Sequence, residues 1–284
     1  MPLCEFLVGF VFVCEAIGKR GFMKYILYVL LAVAISQTTL AEPTFTNLSE
    51  DDFNSIAQDM SANFTHSSIL GASSMGTVVG VQVGLIGAQT GASRTNEIVK
   101  RNAGAELPNL YNGGIMAAVG VPFGLAVEAV LFPKMTASGA SLNSTSLAIK
   151  YNMNGLIPVL PINLAVRGVY STSAFSFSQS QSGVETKVEN KNAVTGIQFL
   201  VSPMIPLVEP YVGFGLLNSA NELSATGSAI FDPTYTSSQS QKKSNSSTQM
   251  LAGVDVNLLL LKLGVEYSKA FGADRYAFKF AFGF

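Results

Sequence analysis

Along most of this chain, apolar residues recur at every second position. The last eleven residues show it most plainly. Tyr276, Phe278, Phe280, Phe282 and Phe284 alternate with Arg275, Ala277, Lys279, Ala281 and Gly283. A period of two puts all five rings on one face of a β-strand. Nine further segments carry the same alternation: residues 79–85, 115–121, 125–131, 147–151, 162–170, 197–201, 212–216, 254–258 and 263–267. Between them, short Pro-marked connections at Pro122, 158–161 and 203–206 alternate with longer ones rich in Ser, Thr, Asn and Gln. The longer ones are residues 89–111, 133–140, 171–187, 218–248 and 269–273. Short and long connections in turn are the mark of an up-and-down antiparallel sheet.

The charges inside these segments are sorted. Glu128, Lys150, Arg167, Asp255, Lys262, Glu266, Arg275 and Lys279 all fall on the face opposite the apolar one. A soluble sandwich would turn such charges to water. In a transmembrane barrel the apolar face meets lipid and the polar face lines the lumen. The expected fold is therefore all-β: a transmembrane antiparallel up-and-down β-barrel of about ten strands. A hairpin hidden in 218–248 (228–231 with 235–237) would raise the count to twelve. The eight inward charges are expected to line the lumen and, being of mixed sign in a low-dielectric wall, to pair.

The C-terminal strand also resembles the assembly signal of bacterial outer-membrane β-barrel proteins, which close on Phe with aromatics at every second position back. The resemblance covers one strand and rests on Tyr276, Phe278, Phe280, Phe282 and Phe284. It implies a Gram-negative outer membrane as the location, with outer-membrane lipid and the barrel assembly machinery as partners.

Ahead of the barrel, Lys24 is followed by apolar residues 25–35, polar residues 36–38, and the small residues Thr39 and Ala41. This reads as a signal peptide over 23–41, cut before Glu42. Eleven apolar residues are too few to span a bilayer comfortably. Residues 1–22 lie upstream of a second Met and read as a mis-assigned extension. In 42–74, Ser49 and Asp52 form a capping-box start, and Phe53, Ile56, Ala57, Met60 and Phe64 share one helical face. The spacing predicts a short amphipathic helix over about 50–62, resting at the periplasmic mouth or plugging the lumen, with the mouth the favoured site. A plug would be similar to the long-chain fatty-acid transporter family, whose N-terminal hatch fills a larger barrel. The barrel itself is expected over 75–284.

Composition sharpens this picture. Charged residues make up 12% of the chain, about half the usual share, and mean hydropathy is +0.37. Both values suit a membrane protein, yet beyond the first forty residues no apolar run approaches the ~20 residues of a helical span. A net charge of -1 with no basic patch argues against nucleic acid. Cys4 and Cys14 are the only cysteines, so the expected mature chain has no disulfide and no thiolate metal site. The single histidine, His66, stands beside Ser67 and Ser68 with Asp59 nearby. Adjacency in sequence is not triad geometry. His66 is read as a turn residue near the membrane interface, and no catalytic residue, cofactor or metal is assigned. Omptin-type proteases share the strand count, but their carboxylate and histidine pairs have no counterpart in these loops. The functional expectation is a porin-like, non-enzymatic barrel for passive transport of a small or hydrophobic solute. The alternative is a structural or surface-interaction barrel with a closed, salt-bridged lumen.

Overall fold

The structure is a computed structural model that describes residues 47–76, 79–103, 106–137, 140–154, 161–181, 184–227, 230–234 and 239–284. The expected signal peptide, the upstream extension, most of the 158–161 turn and residues 235–237 lie outside these residues.

Ten antiparallel strands close into one barrel. They are β1 (Gly80–Gly91), β2 (Asn109–Val121), β3 (Leu125–Ala137), β4 (Ala140–Asn152), β5 (Ile162–Gln181), β6 (Val184–Pro203), β7 (Val208–Thr226), β8 (Ser240–Leu258), β9 (Leu261–Ala270) and β10 (Ala273–Gly283). Helix α1 (Glu50–Asn63) precedes β1, and α2 (Ser93–Ala103) lies between β1 and β2. β10 pairs back onto β1 through rungs such as Phe282 with Val83 and Phe280 with Leu85, so no outer edge is left open. The twelve-strand alternative is thereby set aside: Ile230 and Phe231 turn inward and are buried instead.

The outward face is an apolar belt. Phe278 and Phe282 are each 58% exposed, whereas Lys279 between them is 4% exposed. So continuous an apolar exterior suits lipid and not water, and closure pairs the first strand with the last. A cysteine at position 278 is therefore expected to react with a membrane-dissolved maleimide, and one at 279 to stay unreactive. Lipid-phase labelling of Lys279→Cys would show the register to be off by one residue.

Strand length is uneven. β9 and β10 have 10 and 11 residues, about what a tilted strand needs to cross a bilayer. β5 and β6 have 20 each, and β7 and β8 have 19. Their surplus stands up as a tall wall at one end, here the tall end. Both barrel termini and the turns 122–124, 204–207 and 259–260 mark the other, whereas short connections are found at both ends. This corrects the expectation that 171–187 and 218–248 are loops. Above the lipid the outer face of a strand meets water, so the outward apolar period vanishes while the Ser/Thr-rich ladder continues.

The cylinder has one weak seam. β2 and β3 share only seven rungs, from Val121 with Leu125 to Ile115 with Leu131. Beyond them β3 is irregular against β4 between Phe132 and Met135, where Pro133 has no N–H to donate. The end of α1 reaches the freed end of β2: Asn63 Nδ2 donates to Tyr111 O at 3.5 Å, and Asn112 Nδ2 donates to Asn63 O at 3.2 Å.

Candidate functional site

The interior is the candidate site, and the N-terminal segment fills it. Ten strands about 4.8 Å apart, tilted about 40°, give a backbone radius of about 10 Å. A helix about 10 Å across fits inside such a wall.

α1 begins with the expected capping box. Asp52 N donates to Ser49 Oγ and Ser49 N to Asp52 Oδ2, both at 3.1 Å. Its apolar face, Phe53, Ile56, Ala57, Met60 and then Phe64, packs on Phe177 of β5, Val188 of β6, Leu223 of β7, and Ile98 and Val99 of α2. Of the two expected placements, mouth or lumen, the helix takes the lumen. The helix stands inside the barrel at the tall end, because the inner face of the tall wall is apolar there. Leu48 at its start is pinned by Leu48 N donating to Ile230 O (2.8 Å) and Asp232 N to Leu48 O (2.9 Å). Asp59 fastens the middle. It accepts from Arg94 Nε, Thr95 N and Thr95 Oγ1, each at 2.9 Å.

At the first turn, burial pushes the Asp52 carboxyl up, but Arg101 and the two Ser49 bonds outweigh this and hold it below its ordinary value. A depressed carboxylate stabilises fully above its unfolded pKa of about 3.9 and loses that contribution as pH falls through the lower folded value. The melting midpoint of Asp52→Asn is therefore expected to sit below wild type at pH 6, by the equivalent of about 1 kcal/mol. The gap should close as pH falls below about 3. A gap that persists at pH 2 would contradict the assignment.

From Phe64 the chain runs extended down the lumen, with no ladder of its own, and the wall supplies its partners. Ser67 Oγ donates to Glu266 Oε1 (2.7 Å) and Ser68 Oγ to Glu128 Oε2 (2.6 Å). Lys279 Nζ donates to Ile69 O (2.7 Å), Lys150 Nζ to Gly71 O (2.8 Å) and Ser73 O (3.0 Å), and Asn152 Nδ2 to Ala72 O (2.6 Å). Glu209 accepts from Ser73 N at 2.7 Å and Ser73 Oγ at 2.6 Å. Backbone groups buried without such partners would each be costly. Two glycines permit the close passage. A methyl on Gly71 would sit 2.3 Å from Glu209 Oε1, and one on Gly264 would sit 2.6 Å from Ile69 Cγ2.

Seven of the eight predicted lumen charges are buried here: Glu128, Lys150, Arg167, Asp255, Glu266, Arg275 and Lys279. Lys262 is only half-buried, near the short-turn end. Pairing is partial. Asp255 meets Lys279 at 2.8 Å and Glu128 meets Arg167 at 3.5 Å, while Glu266, Glu209 and Lys150 are held by the thread. Glu209 lies outside the 212–216 segment that the alternation marks, two residues before Tyr211 on the same face. Extending the Tyr211 face by one period would have found it. With Glu209 the described wall buries four acids and four bases.

His66 is a correction. It is not at the interface but fully buried, with Nε2 3.2 Å from Glu128 Oε2 and Nδ1 2.9 Å from Ser146 Oγ. A neutral ring satisfies both contacts by donating to the carboxylate and accepting from the hydroxyl. Asp59 is elsewhere, on Arg94. The order Ser146, His66, Glu128 is that of a nucleophile, base and acid. Beside Ser146, however, the cavity measures about 20 Å³, room for about one water molecule and not for an acyl substrate.

A protein family described as a family of unknown function (DUF6588) matches residues 23–281. No curated protein matches the chain. Among solved structures, the translocator domain of autotransporter NalP from Neisseria meningitidis is similar at 14% identity and a TM-score of 0.44, covering 74% of this chain and 88% of that one. The outer membrane protease OmpT from Escherichia coli is similar at 12% identity and 0.38, covering 72% and 95%. The attachment invasion locus protein Ail of Yersinia pestis is similar at 14% and 0.32, covering 72% and 97%.

Proposed function

The chain belongs to the DUF6588 family, whose description assigns no activity, and on the geometry we propose an outer-membrane β-barrel held closed by its own N-terminal segment. The reading is carried by the thread from Thr65 to Ser73, along which wall side chains bind residue after residue. Such a barrel passes no ions at rest. Its contact with the surroundings is made by the tall wall and the mouth that holds α1.

Orientation follows the habit of single-chain bacterial barrels, with short turns and barrel termini in the periplasm. The tall end then faces outward, and the N-terminal segment enters the lumen from outside. In planar bilayers the refolded full chain is expected to give no steady current, and a stable open conductance would overturn the closed reading. On intact cells an impermeant maleimide is expected to label Asp51→Cys, and to label Leu259→Cys only after the outer membrane is permeabilised. The reverse pattern would overturn the orientation alone.

A second reading is passive passage of a small hydrophobic solute, favoured by the β2–β3 seam. Its missing rungs begin near Gly113, which pairs with Gly87, which pairs with Phe278 of the apolar belt. At that depth unladdered backbone is costly and is tolerated where it serves a path. Cells carrying the chain would then take up a small aromatic hydrocarbon faster than cells lacking it. Equal rates would remove this reading.

A further inference from the structure

Among the described residues, Arg275 is the one buried wall cation with neither an ion pair nor a hydrogen bond to the thread. It is 5% exposed, and among the described residues its Nε and Nη1 have no hydrogen-bond partner. It makes no ion pair there either. Glu266, the carboxylate whose field reaches it, already accepts Ser67 Oγ on one oxygen and the Tyr211 hydroxyl on the other. Across the lumen, the hydroxyl of Ser171 on β5 is also buried without a partner.

Arg275 and Ser171 line the same enclosed cavity of about 20 Å³. Thr65 and Ser67 of the thread close it on one side. Their hydroxyls are committed elsewhere, Thr65 to Ser61 O and Ser67 to Glu266. Among the described buried side chains lining this space, the donors without a partner are the Arg275 guanidinium edge and the Ser171 hydroxyl. A buried charge needs a counter-charge, which a water molecule does not supply. Room for about one water-sized particle excludes sulfate and phosphate but accommodates a halide. The geometry points to a chloride-sized inorganic anion site between the thread and the wall, with Arg275 and Ser171 as its donors. The bound ion clamps residues 65–67 to β10 and β5, so the hold of the plug depends on halide.

The test uses the full chain in detergent micelles at constant ionic strength, with chloride exchanged for gluconate. Above the dissociation constant the melting midpoint of wild type is expected to rise with chloride by about 3–6 °C per tenfold, and bromide should replace chloride. Arg275→Gln should flatten this dependence and Ser171→Ala should weaken it. If Arg275→Gln does not fold, bromide scattering in crystals of wild type locates the ion directly, and Ser171→Ala carries the titration. A wild-type midpoint indifferent to chloride, a dependence equally steep in Arg275→Gln, or a cavity holding water in bromide-soaked crystals would each overturn the proposal.

Discussion

Deleting residues 50–74 is expected to turn a barrel that passes no steady current into one that conducts. The helix and thread are what occupy a cylinder of about 10 Å backbone radius. What they leave behind is a wall of long polar side chains. Among the described residues these are Glu128, Glu209, Asp255 and Glu266 against Lys150, Arg167, Arg275 and Lys279. Freed from the thread, these side chains can reach one another and narrow the bore, so the conductance should be small. Four acids and four bases cancel, so selectivity between cations and anions should be weak. The measurement is single-channel current from refolded deletion variant and full chain in the same bilayer. Silence from a folded deletion variant would mean that the wall closes itself and that the thread is not the gate.

The second large effect centres on Glu128. Its Oε2 receives Ser68 Oγ at 2.6 Å, His66 Nε2 at 3.2 Å and Arg167 Nη1 at 3.5 Å, all buried. Glu128→Leu strands the Arg167 charge and removes an acceptor from two plug residues. Breaking one side of a buried pair costs about 3–5 kcal/mol. For a chain of this size that is a drop in melting midpoint of roughly 6–20 °C. Glu128→Gln keeps the shape without the charge and should lie between. The double replacement Glu128→Leu with Arg167→Met should recover much of the loss, since it removes the stranded charge as well. A double mutant as unstable as Glu128→Leu alone would place the cost in packing and not in charge.

How much of this was legible in the chain differs from one feature to the next. The belt was readable because lipid enforces a strict period: Phe278, Phe280 and Phe282 must all point one way, and Lys279 the other. The tall wall was not, because in β5 and β8 water bathes the outer face and the alternation of apolar with polar disappears. The capping box and the apolar stripe of α1 are local and were both visible. That the stripe packs inside the barrel, on Phe177, Val188 and Leu223, depends on strands more than a hundred residues away.

The lumen divides the same way. The period of two alone determined that Glu128, Lys150, Arg167, Asp255, Glu266, Arg275 and Lys279 face inward. It could not say what they bind, since Glu128, Lys150, Arg167, Glu266 and Lys279 find partners in backbone carbonyls and hydroxyls of residues 67–73, a stretch with no period of its own. His66 looked like an isolated turn histidine, and only closure of the barrel set it between Glu128 and Ser146. Sequence by itself thus determined which face each strand turns to lipid, because the solvent outside a barrel imposes one rule on every residue. The tertiary structure decided what fills the inside, because there each polar group answers to a particular partner, and partners meet only when the cylinder closes.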